Sequence, residues 1–258
     1  KSRKHAVWLP SFLEKYDADS LRYYLSINMP ETHDTDFRWD EFVDRVNNEL
    51  IGTYGNFVHR VMTLTHRLVD SDSNPLSPYD HTDSHSKIIE DCRIKMESAI
   101  SSMERQRFKE ALRSIMGIAQ IGNVLLQNAA PWKYISSEES EDRQESLSAL
   151  AMAWRLCRTL SILTRPFMPF QSERLWSMLG ETGDIDSILW DNSLDTNCEL
   201  HWNPENPQPL FSRLDLDEII ADEKSIVEDS NDNDPKHDPK DGAGYIEFDD
   251  FLKVEMKT

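Results

Sequence analysis

From Trp39 onward the apolar residues Phe42, Val46, Leu50, Tyr54, Phe57, Val61, Leu64 and Leu68 recur every three or four positions. That spacing predicts one helix of about eight turns with a single buried stripe. Residues 70–85, rich in Ser, Asp, Asn, His and Pro, read as the loop that ends it. A second helical run covers 87–103. A third carries Phe108, Leu112, Ile115, Ala119 and Leu126 on one face and stops before Pro131, because proline disfavours the α conformation in the residue ahead of it. Trp132 then falls just beyond a helix end. A polar loop over 136–143 leads to a fourth run with Leu147, Leu150, Trp154 and Cys157, and Pro166 and Pro169 punctuate the step to a fifth around 171–179. Five helices of these lengths predict a mainly α fold, a helical bundle over residues 39–182.

The bundle is flanked by less regular sequence. Residues 1–38 read as a compact connector, with a short helix over 10–16, a helix over 20–27 and an irregular acidic turn, bracketed by Pro10 and Pro30. Residues 183–213, with scattered apolar positions and several prolines, read as an extended strap with little regular structure. Residues 214–244 read as an acidic disordered linker, and apolar residues return in Tyr245-Ile246-Glu247-Phe248-Asp249-Asp250-Phe251-Leu252.

Composition narrows the classes. At 258 residues and 38% hydrophobic, the chain can bury a substantial core. It has no run of about 18 apolar residues, and its basic start lacks the apolar block of a signal peptide, which predicts no membrane association. Cys92, Cys157 and Cys198 lie far apart without a Cys-x-x-Cys pair, against a disulfide scaffold and a structural zinc site and in favour of a reducing cytoplasm. A formal charge of −19 opposes nucleic-acid binding. Residues 215–241 hold eleven acids against three lysines, so much of that charge sits in one segment. The remainder is still acidic, and any RNA surface must be a local basic patch. No dinucleotide fingerprint, Walker loop or His-Glu-x-x-His occurs.

Candidate chemistry lies on the long helix and at the break after the third. At 100° per residue His59, Thr63 and Arg67 form a row away from the apolar stripe, which from the residues alone reads first as a solvated helix face and second as a face turned to a ligand. A guanidinium there is planar, always charged and able to stack on or fork-bond to a nucleobase. Trp132, just past a helix end and beside Lys133, reads from the residues alone first as a cap on the bundle core and second as an aromatic platform for an unpaired base. Asn123 approaches Trp132 along the third helix, first as a hydrogen-bonding residue of the bundle and second as an RNA contact. His81 and His85, four apart in a polar loop, lack a third ligand and read as surface residues, so no metal site is expected.

Three segments carry a family resemblance: Asp17-Ala18-Asp19-Ser20-Leu21-Arg22-Tyr23-Tyr24, Asn28-Met29-Pro30-Glu31-Thr32 and Asp34-Thr35-Asp36-Phe37. Together they resemble the segment that follows the catalytic domain in methionyl-tRNA synthetases. Lys1-Ser2-Arg3 is similar to the end of that family's Lys-Met-Ser-Lys-Ser loop. The resemblance implies that Lys1 and Ser2 belong to the ATP-handling loop, that the connector is the stem-contact fold, and that the bundle binds the CAU anticodon of a tRNA. It implies anticodon contacts for Arg67, for Thr63, which stands where bacterial members often carry Asn, and for Trp132 of Pro131-Trp132. His59 and Asn123 are secondary candidates. Residues 245–258 resemble the first strand of an appended OB-fold tRNA-binding module, through which, when complete, a homodimer could form. The implied parent is a cytoplasmic methionine–tRNA ligase using ATP with Mg²⁺. This piece, without the N-terminal catalytic domain, is expected to bind neither cofactor and to be inactive alone, and any zinc site of the parent lies outside it. Two alternatives stand beside this reading: a tRNA-binding or assembly module with no chemistry, and the bundle of a sister class I synthetase for leucine, valine or cysteine. The Asn28–Thr32 segment favours methionine.

Overall fold

A computed structural model describes residues 9–31, 34–67, 76, 85–134, 141–198, 200 and 207–222. Lys1, Ser2, His81 and the strand expected at 245–258 lie outside the described residues. By internal contacts the chain divides into a unit of Lys1–Leu216 and one of Asp217–Thr258. The architecture below belongs to the first, apart from the helical residues at 217–222.

The first unit is helical. α1 (Leu9–Lys15) and α2 (Ala18–Ile27) form the connector. A long rod follows, made of α3 (Trp39–Asp44), a π-helical segment (Arg45–Gly55) and α4 (Asn56–Arg67). Then come α5 (Ser86–Glu104), α6 (Phe108–Ala129), the one-turn α7 (Pro131–Tyr134), α8 (Glu141–Thr164) and α9 (Pro169–Met178), with 3₁₀ turns at Ile185–Ser187 and Trp190–Asn192. The rod, α5, α6, α8 and α9 are the five expected helices.

The single helix expected over the rod is corrected in its middle. In an α-helix a strict four-residue repeat drifts about 40° per step around the axis, so Phe42, Val46, Leu50 and Tyr54 could not all stay on one face. The wider i→i+5 turn absorbs the drift, and all four are at most 2% exposed. The rod therefore presents one continuous buried face despite the change of pitch.

The core centres on α8. From Leu147 to Leu163 nearly every residue is buried, so this helix is enclosed by α4, α6, α7 and α9, each of which packs against it. Its hydroxyls are paired within the interior. Thr159 donates to the Arg155 carbonyl (3.0 Å), Thr164 donates to the Leu160 carbonyl (2.7 Å) and its Oγ1 lies 2.8 Å from Ser172 Oγ. These bonds spare the desolvation cost of buried unpaired hydroxyls. Trp154 and Trp176 are buried packing groups. Among its described residues the strap is irregular apart from two 3₁₀ turns. It returns along the rod, where Asn47 exchanges two hydrogen bonds with the Leu214 backbone (2.8 and 3.0 Å) and the Phe211 ring meets that of Tyr54. Residues 216–222, at the start of the expected disordered linker, are helical.

The connector is docked against the rod and the turn between α8 and α9. Asp17 caps α2 by accepting from the Ser20 N–H (2.7 Å), and Arg22 donates to the Phe167 and Pro166 carbonyls (3.0 and 2.9 Å). Tyr23 donates to Glu49, and Phe12, Tyr16, Tyr24, Phe37, Trp39 and Phe42 form one aromatic cluster. Much of the 17–24 motif is thus a latch that holds the connector to the rod and to the turn between α8 and α9.

Asp19 completes the latch by accepting from the Gln171 N–H (2.7 Å) in the first turn of α9. Burial pushes its carboxyl up from 3.8 to about 6. The fold thus favours the neutral acid, and that contribution is full below the ordinary value and lost as pH rises through about 6. Wild type should therefore lose stability relative to Asp19→Asn between pH 4 and 7, read as the difference between their urea midpoints. Parallel profiles would remove Asp19 as the cause.

Candidate nucleic-acid interface

The polar face of α4 is opposite its buried one. Phe57, Val58, Val61, Met62, Leu64 and Thr65 are buried, whereas Asn56, Arg60, Thr63 and Arg67 follow a 4-3-4 spacing that keeps them in one stripe. His59 is exposed at the stripe's edge and Arg67 is exposed at the helix end, where a cation complements the C-terminal dipole. Thr63 is half-buried, and its hydroxyl is enclosed without a hydrogen-bond partner among the described residues.

The stripe is brought against Trp132 by a change of direction after α6. Ala130 adopts the left-handed conformation (φ 41°, ψ 51°), its N–H still bonded to the Leu126 carbonyl at 3.0 Å. Pro131 then starts α7, its fixed φ suiting a first helical position. The expected break after α6 is therefore present, and Trp132 lies within this new turn rather than in a loop beyond a helix end. Its indole is 39% exposed, so it is neither a buried core residue nor a ring projecting without support.

A guanidinium covers one side of that indole. It belongs to Arg60, whose Cζ stands 4.9 Å from the ring centroid. Such a contact contributes about 0.5–1 kcal/mol at an exposed site and fixes the ring's orientation. Stepping back from Arg67 by a uniform four residues leads to Thr63 and His59 and drifts past Arg60. The alternating 4-3-4 step was the sequence signal that would have found it. Arg60, Arg67 and Lys133 have no carboxylate ion-pair partner among the described residues, whereas Arg38, Arg45, Arg107, Arg158 and Arg165 each have one. In a chain with 47 acids and 28 lysines and arginines, Arg60 over the indole, Arg67 on the same stripe and Lys133 beside Trp132 are three cations with no ion pair among the described residues.

Asn123 is a brace. Its amide donates to the Thr53 carbonyl (2.9 Å) and to the Ala119 carbonyl (3.2 Å), and its oxygen accepts from the Asn56 amide (3.2 Å). It ties α6 to the end of the π-helical segment one turn below Arg60. Among the described residues no group of three His, Cys, Asp or Glu could hold a metal ion, and no helix is long and apolar enough to cross a membrane. The three cysteines are free, and burial pushes the Cys92 thiol up to about 12.

Known proteins are similar to this chain in sequence and in fold. Residues 1–62 match the family of class I tRNA synthetases (M), and residues 78–217 match the anticodon binding domain of methionyl tRNA ligase. The methionine–tRNA ligase of Porphyromonas gingivalis is 33% identical over 274 aligned residues, covering 100% of this chain and 37% of the relative. That of Methanopyrus kandleri is 29% identical over 257 residues, covering 100% of this chain and 36% of the relative. The Aeropyrum pernix ligase is 36% identical over 231 residues, covering 89% and 39%. The chain thus spans between a third and two fifths of the length of these relatives. Crystal structures of Mycobacterium tuberculosis methionyl-tRNA synthetase, free and bound by methionyl-adenylate, share the fold. Their TM-scores are 0.70 and 0.71 at 20% identity, covering 81% and 82% of this chain and 41% of each neighbour.

Proposed function

Because the chain belongs to the methionyl-tRNA synthetase family, we propose that it is the anticodon-reading part of a methionine–tRNA ligase. Its partner is a tRNA with a CAU anticodon. Trp132 supplies a stacking platform, Arg60 orients it, and Arg67 and Thr63 on the adjacent stripe meet base edges, with His59 at the margin. The observation that carries this reading is the half-exposed indole beneath the Arg60 guanidinium, next to a polar helix face. Unpaired RNA is recognised by splaying bases onto aromatic and guanidinium planes and bonding their edges. The orphaned Thr63 hydroxyl can donate and accept, so an RNA base edge would relieve it. Asn123 acts through the brace to Asn56 and Thr53, holding the rod in register with the platform.

The whole ligase joins methionine to tRNA in the cytoplasm through an ATP-derived adenylate, with Mg²⁺. Lys1 and Ser2 are this chain's contribution to that chemistry, and none of the described residues is assigned to it. The chain by itself should bind RNA without supporting methionine-dependent pyrophosphate exchange. Homodimerisation through a completed OB-fold belongs to the same proposal.

Competition binding tests the reading. A stem-loop bearing CAU should displace a labelled CAU stem-loop, while loops altered at single anticodon positions should compete about tenfold more weakly or worse, since a wrong base contact costs on the order of 1–3 kcal/mol. Equal competition by every loop would reject anticodon reading, and exchange by the isolated chain would reject its division of labour.

A further inference from the structure

One side of the α5–α6 hairpin carries a groove that the anticodon reading does not use. The two helices run antiparallel from the turn at 105–107, and the groove, of about 560 Å³, lies at the end where α8 begins. None of its lining residues belongs to the polar stripe of α4 or to α7. On α6 its wall is formed by Gly117, Gln120, Ile121, Val124, Leu125 and Asn128. That 3-1-3-1-3 spacing keeps one face of the helix turned to the groove for three turns, about 16 Å. Leu125 is buried, while Ile121 and, across on α5, Ile88 are half-buried, so the floor is apolar. Val124 stands 58% exposed on the same face.

The opposite wall is charged. Lys87, Asp91 and Lys95 recur every four residues along α5, which sets cation, anion and cation on one edge. Asp91 precedes Lys95 by four, the order that favours a pair on a helix. Neither of them, nor Lys87, is in an ion pair among the described residues, while Arg93 and Glu90 on the same helix meet at 2.7 Å. Lys95 instead lies across α6 at Gly117, where a Cβ would come within 3.1–3.2 Å of its Cε and Cδ. The glycine thus seats this side chain at one end of the groove. The other titratable groups that line it, His85 and Glu145, belong to the opposite end.

Length and charge together select the occupant. A compact ligand would meet one cluster of polar groups, whereas here an apolar floor runs for three turns beside charges that repeat at intervals of four. A second helix repeats its side chains at that interval, and helices dock in grooves through such rows of anchors. We propose that this groove docks one amphipathic helix of a partner protein, with an aliphatic stripe on the floor and an acid–base–acid row, also spaced by four, against Lys87, Asp91 and Lys95. Covering Val124 and the two isoleucines removes apolar surface from water and supplies the attraction. The charges set register and partner choice.

The test uses the full chain and two labelled synthetic helical peptides that share a leucine stripe and are matched in net charge by residues on their outer face. One carries Glu–Lys–Glu at four-residue spacing and the other Lys–Glu–Lys. Fluorescence anisotropy at low salt should show the first binding about tenfold more tightly, as three exposed pairs of modest strength would give. Exchanging the wall charges together (Lys87→Glu, Asp91→Lys, Lys95→Glu) should reverse the preference, and Val124→Glu should weaken both peptides. Urea midpoints should stay nearly unchanged, because all four side chains are exposed. Binding of neither peptide, equal binding of both, or a preference that survives the charge exchange overturns the proposal. So does sedimentation showing a dimer of the chain that Val124→Glu dissolves, which would give the groove to a second copy.

Discussion

Replacing Trp132 with alanine is expected to weaken binding of a CAU stem-loop by about 1–3 kcal/mol, roughly 5- to 150-fold, with helicity and urea midpoint nearly unchanged. The size follows from removing a stacking platform for one base. The selectivity follows from exposure. An indole that is 39% exposed contributes less to the core than a buried one, and the Arg60 contact it loses is worth about 0.5–1 kcal/mol at most. Trp132→Phe should restore part of the affinity because it keeps a π face. A collapse of helicity in Trp132→Ala would instead make the ring a cap on α8, against which α7 packs.

Gly122→Ala is expected to destabilise the fold by about 1–3 kcal/mol, seen as a lower urea midpoint. A Cβ at this position would stand 2.3–2.8 Å from three ring carbons of Phe57, and that ring is fully buried. Either the ring leaves its rotamer or α6 and α4 separate. Separation would also stretch the Asn56–Asn123 brace and move Arg60 relative to Trp132, so RNA affinity should fall with stability. Phe57→Leu in the same background should recover part of the loss, and the double-mutant cycle should show strong coupling. Additive effects would mean that the two helices do not meet at this glycine.

The helices were legible in the sequence because their buried faces recur at helical spacing, and the break after α6 was legible because Pro131 forbids its continuation. The π-helical segment was not read, although its signal was present: four consecutive apolar residues at a constant spacing of four, from Phe42 to Tyr54, fit a wider turn better than an α-helix. Trp132 was singled out by its neighbours Pro131 and Lys133. Arg60 was missed because a uniform four-residue step from Arg67 passes it by; the 4-3-4 spacing places it on the polar stripe, while its contact with a ring some seventy positions away is visible only in the fold. The 17–24 motif marked the family long before its physical role was visible. Asp17, Asp19 and Arg22 act on helix ends, and two of those ends lie about 150 residues further along the chain. A formal charge of −19 points away from RNA because composition averages over the surface, whereas the proposed interface rests on a few local cations, Arg60 over the indole among them.

The most direct measurement is photocrosslinking of a stem-loop in which the uridine of CAU is replaced by 4-thiouridine, with the attached peptide identified by mass spectrometry. The crosslink is expected in α7 or on the polar stripe of α4, within residues 131–134 or 56–67. Crosslinks elsewhere, or equal yield from a loop with a scrambled anticodon, would contradict that expectation.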